Sequence, residues 1–123
     1  MGRDRRACRG GIDLTFKQGD IIKFDFDPTK GHEQAGYRPA LVVSRTLFNQ
    51  NTGQVVVCPI TSKSKPFPMR IPLDDRTQTQ GYLICDQVRT IDVAARNPQF
   101  VETLPEDLLE KALVTISAIF EME

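Results

Sequence analysis

The side chains best suited to chemistry lie together in the stretch Gly31-His32-Glu33-Gln34-Ala35-Gly36-Tyr37-Arg38-Pro39. It holds the only histidine of the 123-residue chain, with a carboxylate beside it, an amide and an arginine. Histidine titrates near neutrality, a carboxylate accepts protons and arginine supplies fixed positive charge. Such a set suits acid–base and electrostatic catalysis. Gly31 and Gly36 bracket the acid–base pair and let the backbone take positive φ and move. The stretch joins two strand-like segments, and loops held by a rigid sheet are where binding and catalytic groups collect. A polar surface hairpin loop would have much the same composition, so the neighbouring segments must decide.

Thr61, Asp86 and Gln87 join His32, Glu33 and Arg38 as candidates, each at the end of a predicted strand or between two. The chain has no phosphate-cradling glycine loop, nucleophile elbow or metal-ligand cluster. Its single histidine argues against most zinc hydrolases, and its acids lack calcium-loop spacing. Cys8, Cys58 and Cys85 form no Cys-x-x-Cys; the last two lie in strand-like runs and are expected to be buried, Cys8 exposed. The chemistry is therefore expected to be acid–base and electrostatic, without a cofactor. Transphosphorylation of RNA fits. It needs a base for the 2′-hydroxyl, an acid for the 5′-oxygen and donors for the charged phosphorane, and RNA supplies its own nucleophile.

The elements that must position these groups are short strands. Ile22, Phe24 and Phe26 alternate with polar residues in a half-buried strand that ends at Asp27-Pro28. Ala40-Leu41-Val42-Val43 suits a central strand, and residues 45–51 a short helix before the turn Asn51-Thr52-Gly53. Residues 54–61 are the strongest β run, with Pro59 expected at an edge or bulge because it cannot donate to a ladder. Residues 67–73 form a strand interrupted by Pro68 and Pro72, and residues 81–92 one bent strand or two short ones. Thr103 and Glu106 fit a capping box, after which Leu108, Leu109, Ala112, Leu113, Ile116, Ile119 and Phe120 recur at helical spacing. Residues 1–18 form a flexible basic leader and residues 19–123 one domain: mainly β, a small bent antiparallel sheet or barrel with a C-terminal amphipathic helix.

Composition bounds the function. The chain is 40% hydrophobic and 26% charged, with no apolar run of membrane-spanning length and no secretory pattern, which points to the cytoplasm. Net charge is zero, but residues 101–123 hold six acids and Lys111 alone as a base, leaving the first 100 residues with 15 bases and 10 acids. A basic body of that kind offers phosphates a positive surface.

Six segments occur in the order of the MazF/PemK toxin family, which the chain resembles over about residues 19–120: Gly19-Asp20-Ile21-Ile22, Phe26-Asp27-Pro28, Gly31-His32-Glu33-Gln34, Gly36-Tyr37-Arg38-Pro39, Pro59-Ile60-Thr61-Ser62 and Asp86-Gln87-Val88-Arg89. The resemblance implies an SH3-like barrel with a C-terminal helix, a homodimer, and a metal-independent toxin cutting single-stranded RNA to 2′,3′-cyclic phosphate and 5′-hydroxyl ends. It implies an antitoxin whose disordered tail covers the RNA groove. Arg38 and Thr61 match the family's principal catalytic pair. Arg38 is assigned charge stabilisation, because a group with pKa above 12 is a poor base; Thr61 is assigned a bond to a non-bridging oxygen, and Glu33 the role of base. His32 and Asp86 match two of three PemK-branch residues, but Ile84 stands where the third, an arginine, is expected. His32 then becomes a substrate contact or loop residue. Gln87 is placed to read a base edge or hold the loop, Tyr37 and Phe67 to stack on bases, and Lys63, Lys65, Arg70 and Arg89 to line the RNA path.

Two other functions compete. A gyrase-poisoning toxin of the same fold would act through a C-terminal Trp-Gly-Ile, whereas this chain has no tryptophan and ends Phe120-Glu121-Met122-Glu123. A catalytically inactive SH3-like interaction module would not need Glu33, Arg38 and Thr61 intact.

Overall fold

Alternating apolar and polar residues, broken at short intervals by turn formers, produce a chain of short strands. In the computed structural model, which describes residues 15–27, 36–63 and 67–123, these are β1 (Asp20–Asp25), β2 (Tyr37–Val42), β3 (Gln54–Thr61), β4 (Arg70–Pro72), β5 (Tyr82–Ile84), β6 (Arg89–Asp92) and β7 (Gln99–Thr103). Three helices join them: α1 (Thr46–Thr52), α2 (Val93–Arg96) and α3 (Glu106–Ile119). The leader residues 1–14, with Cys8, and the segments holding His32, Glu33, Gln34 and Lys65 lie outside the described residues, as does the expected mobility of the loop.

The strand pairings are antiparallel, in the order β4-β5-β3-β2-β1-β7, with β6 also on β3. β3 is the hub. Along one edge it pairs with β2; along the other it pairs first with β6 and then with β5. Sharing that edge bends the sheet about β3 and gives the barrel-like form, with α3 across one face.

Both faces are buried, by different means. On one, Ile21, Leu41, Cys58, Ile60, Leu83 and Cys85 pack under Leu108 and Ala112 of α3. On the other, Ile22, Phe24, Ala40, Val42, Val55, Val57 and Ile91 form a second apolar cluster with Phe16 and Phe26. The rings of Phe24 and Phe26 stack at 4.3 Å, worth about 0.5–1.5 kcal/mol beyond their burial. That stack fixes the end of β1 from which the candidate loop departs.

The structure corrects several expectations. Thr103 does not cap α3; it is the last residue of β7, opposite Asp20, and the N-cap is Pro105, whose carbonyl accepts from the backbone N–H groups of Leu108 and Leu109. The strand claims Thr103 because its ladder to β1 outweighs a single capping bond. Pro59 lies in the central strand, not at an edge or bulge: β3 leaves β6 after Val57 and meets β5 at Ile60, so the missing N–H falls at the changeover. Residues 15–18 pack on the body, with Phe16 buried and its carbonyl bonded by the Asn49 amide at 2.8 Å. α2 and β7 were not foreseen. Of the two forms expected for residues 81–92 the structure has the second, two short strands, β5 and β6, divided by a turn at Cys85 and Asp86. The α3 stripe packs through Leu109, Leu113 and Ile116, while Ile119 and Phe120 are exposed at its end.

Candidate active site

Register decides which side chains share a face, because alternate residues of a strand point to opposite sides. Ala40 pairs with Pro59 and Val42 with Val57, so the same register carried two residues further sets Arg38 opposite Thr61. Across β1, Arg38 is opposite Phe24. Thr61 pairs with Tyr82, Arg70 with Ile84 and Arg89 with Val57. Parity therefore places Arg38, Thr61, Arg70 and Arg89 on one face of the sheet, the face away from α3. Three arginines and a hydroxyl share it with the second apolar cluster.

Within this face Thr61 is buried and Arg38 half-buried. The Thr61 hydroxyl oxygen accepts from the Lys63 backbone N–H at 3.2 Å, which leaves its own hydrogen to donate. Gly81 lies directly behind: it has φ of 121°, and a Cβ there would stand 2.1 Å from the Thr61 carbonyl oxygen. Only a residue without a side chain lets β5 close on the end of β3.

The foot of the loop is tied shut by hydrogen bonds among the described residues. Phe26 N–H donates to the Gly36 carbonyl at 2.9 Å, and Gly36 N–H donates to Asp27 Oδ1 at 3.1 Å. Arg96, at the end of α2, donates from Nη1 to the carbonyls of Asp25 at 2.9 Å and Asp27 at 2.6 Å. Arg89 donates to the Phe26 carbonyl at 3.4 Å with its guanidinium 5.5 Å from the ring centroid of Phe26. Charge-assisted bonds of this kind are about twice as strong as neutral ones. Asp92 caps α2 by accepting from Ala94 and Ala95 N–H, which orients the single helical turn that delivers Arg96.

A second group gathers at the far end. Arg70 Nε is 3.6 Å from Asp86 Oδ1, and its guanidinium lies 5.3 Å from the centroid of the exposed Phe67 ring. Gln87 follows Asp86, half-buried, its N–H donating to the Ile84 carbonyl at 3.2 Å. Tyr37 is exposed, with Lys23 Nζ 5.6 Å from its ring centroid, and Lys63 is exposed. The structure thus sets Arg38 and Thr61 on one face, and joins Arg70 with Asp86 and Phe67. Tyr37 stands apart from both: it has the parity of Lys23 and Pro39, on the side facing a cleft of about 320 Å³ also lined by Gln78, Thr79 and Gln80.

That cleft is shaped by a strap, residues 74–80. Glu102 on β7 accepts from the N–H of Gln78 and from both the N–H and the hydroxyl of Thr79, at 3.0, 2.8 and 2.7 Å. Burial pushes the Glu102 carboxyl up, but the Thr79 and Gln78 hydrogen bonds outweigh it and hold the group below its ordinary value. At the strap's outer end, Arg76 bridges Asp74 and Asp107, and its hydrogen bonds hold both carboxyls low. Arg96, Gly81 and Glu102 escaped sequence reasoning; a capping Asp92 before Val93-Ala94-Ala95-Arg96 was the available signal for the first.

Comparison with known proteins follows the same outline. The family of PemK-like, MazF-like toxins of type II toxin–antitoxin systems matches residues 17–120. The endoribonuclease toxin MazF of Escherichia coli K12 is 42% identical over 100 residues, covering 80% of this chain and 89% of its own length. The endoribonuclease PemK of Escherichia coli is 38% identical over 119 residues, covering 94% and 88%. Crystal structures of MazF from Deinococcus radiodurans, alone and with MazE, superpose with TM-scores of 0.83 and 0.78 at 31% identity. They cover 89% and 90% of this chain and 100% of each of those chains.

Proposed function

The chain belongs to the PemK-like, MazF-like toxins of type II toxin–antitoxin systems, and from that premise we propose that it is an endoribonuclease cutting single-stranded RNA, messenger RNA included, at short sequences. What supports the reading is that Arg38, on the strand that follows the loop bearing Glu33 in sequence, shares one face of the sheet with Thr61. In this mechanism Glu33 takes the proton of a 2′-hydroxyl, the 2′-oxygen attacks the adjacent phosphorus, and the bond to the 5′-oxygen breaks. The products are a 2′,3′-cyclic phosphate and a 5′-hydroxyl. Arg38 holds the charge that develops on the phosphorane, and the free hydrogen of the Thr61 hydroxyl donates to a non-bridging oxygen. The nucleophile belongs to the RNA, so the step calls for no metal.

Around that centre, Arg70, Arg89, Lys63 and Lys65 take flanking phosphates, and Tyr37 and Phe67 offer exposed rings to unpaired bases. His32, Asp86 and Gln87 contact bases or hold the loop. Phe67 and Arg70, with their cation–π pairing, are a ready platform for a base beside its phosphate. We take residues 19–123, with the packed residues 15–18, as one toxin domain that works as a homodimer in the cytoplasm; among the described residues no helix is long and apolar enough to cross a membrane. An antitoxin with a tail that covers the RNA face would silence it, as a basic face tracking a phosphate backbone also accepts an acidic extended peptide.

End-mapping of a long RNA digested in excess EDTA tests the reading. Cyclic phosphate and 5′-hydroxyl ends at a recurring short sequence are expected. Cleavage that depends on added metal, or 5′-phosphate ends, would overturn it.

A further inference from the structure

Two thiols lie face to face beneath this site. Ile60 pairs with Leu83 and Thr61 with Tyr82, and the same register carried on sets Cys58 of β3 opposite Cys85 at the end of β5. Cys85 N–H donates to the Met69 carbonyl at 3.1 Å, so its backbone turns away from β3. That is the non-hydrogen-bonded kind of antiparallel pair, the kind with the closest side chains. Both residues are fully buried in the cluster under α3, and each thiol perturbs the titration of the other.

Opposite residues of this kind have Cβ atoms roughly 4.5 Å apart, against about 3.8 Å in a disulfide, so closure needs a shift of under about 1 Å. Packing alone has no need of two facing sulfurs. We propose that Cys58 and Cys85 are an oxidation site, forming a reversible intrachain disulfide that displaces the turn at Cys85 and Asp86 and, with it, Gln87. The oxidant is a hydroperoxide such as hydrogen peroxide. Cys85 sulfur attacks one peroxide oxygen and the O–O bond breaks, giving a sulfenic acid and water once a proton is transferred. Cys58 sulfur then attacks the sulfenic sulfur and expels a second water. Two thiols are oxidised by two electrons and one peroxide is reduced to two waters.

Cys85 is suited to strike first, because it opens a turn whose next residue, Asp86, is exposed, whereas Cys58 lies inside the central strand. The hydrogen bond with Cys58 holds the Cys85 thiol below the ordinary value against burial and the nearby Asp86 charge, while the same bond and burial push Cys58 up. Its position also sets the consequence. Cys85 is bonded to Asp86, which pairs with Arg70, and Gln87 is next; Cys58 is three residues from Thr61. Drawing the two strands together on the α3 side moves those groups on the opposite side of the sheet.

The test uses the full chain carrying Cys8→Ser, treated with hydrogen peroxide. Intact mass should fall by about 2 Da, as two hydrogens leave, with a linked peptide pair holding Cys58 and Cys85 that dithiothreitol separates. Amide resonances of Asp86 and Gln87 should shift and return on reduction, and RNA cleavage should slow at least ten-fold and recover. Cys58→Ala and Cys85→Ala should each match the untreated activity and lose the peroxide response. Free thiols at peroxide doses that already oxidise methionine would overturn the proposal. So would a mapped disulfide with unmoved Asp86 and Gln87 resonances. Mass and resonances are read without RNA, so a chain inert towards RNA in both states would count against the nuclease reading alone.

Discussion

Arg38 of β2 and Thr61 of β3 share the face of the sheet turned away from α3, the first opposite Phe24 on β1 and the second two residues past Pro59. That face therefore offers a guanidinium and a hydroxyl whose oxygen is already bonded by the Lys63 N–H, which leaves its hydrogen to donate. Preorganised donors of this type contribute about 10²–10³-fold each when they act only on transition-state charge. Arg38→Ala and Thr61→Val are therefore expected to lower the single-turnover cleavage rate by about that factor with little change in melting temperature. On the proposed mechanism both donors serve one phosphorane, so the double variant should lose less than the product of the two. Fully multiplicative losses would argue that the two residues act at separate places.

Gly81 supports that pair from behind. An alanine there meets the Thr61 carbonyl at 2.1 Å and must also hold φ of 121°. Gly81→Ala should cost stability by at least about 1–3 kcal/mol from backbone strain, and it should slow cleavage in the molecules that remain folded. Gly53→Ala is the control: φ is 71° and nothing lies within 4 Å of the added Cβ. It should lose only about 1 kcal/mol and keep its activity. Denaturant melts with rate measurements on the folded fraction separate the two effects.

What the sequence shows and what it hides follow from how far each residue's partners lie along the chain. β1 and β3 are legible because alternation and β-branched runs are local, and α3 because its apolar residues recur every turn. Arg38 and Thr61 are legible as members of ordered motifs. Arg96 is not, because its partners are backbone carbonyls 69 and 71 residues away, whose direction no side-chain pattern records. Pro59 misled for a related reason: a proline's tolerance depends on which edge its missing donor faces, and that is set when β5 replaces β6 beside β3. Thr103 matched a capping pattern that the neighbouring strand β1 overrode.

Arg96 gives a prediction about the loop. One nitrogen holds the carbonyls of Asp25 and Asp27, immediately before the segment that bears Glu33. Removing it frees the foot of the loop without touching Arg38 or Thr61. Arg96→Ala should reduce kcat by about ten-fold or more, in line with losing a positioning contact, while RNA affinity changes little. Arg96→Lys should restore part of the rate, since an ammonium can reach two carbonyls. An Arg96→Ala chain with normal kcat would show that the clamp serves the fold alone.

The strap makes the pH prediction. Glu102 has its folded value depressed by the Thr79 and Gln78 hydrogen bonds, and Asp74 and Asp107 theirs by Arg76. A carboxyl lowered on folding binds protons less readily in the folded state, so its stabilisation is present above the unfolded value of about 4 and is lost as pH falls through the lower folded value. Amide exchange at Gln78 and Thr79 should therefore accelerate relative to the core below about pH 4. Glu102→Gln keeps the shape but weakens the acceptors, so it should show fast exchange already at neutral pH and a flatter acid limb. Arg76→Ala should leave Gln78 and Thr79 protected, because their N–H groups donate to Glu102 and not to the Arg76 ion pairs. Exchange at those two amides that follows Arg76 instead would assign the hold to the surface ion pairs.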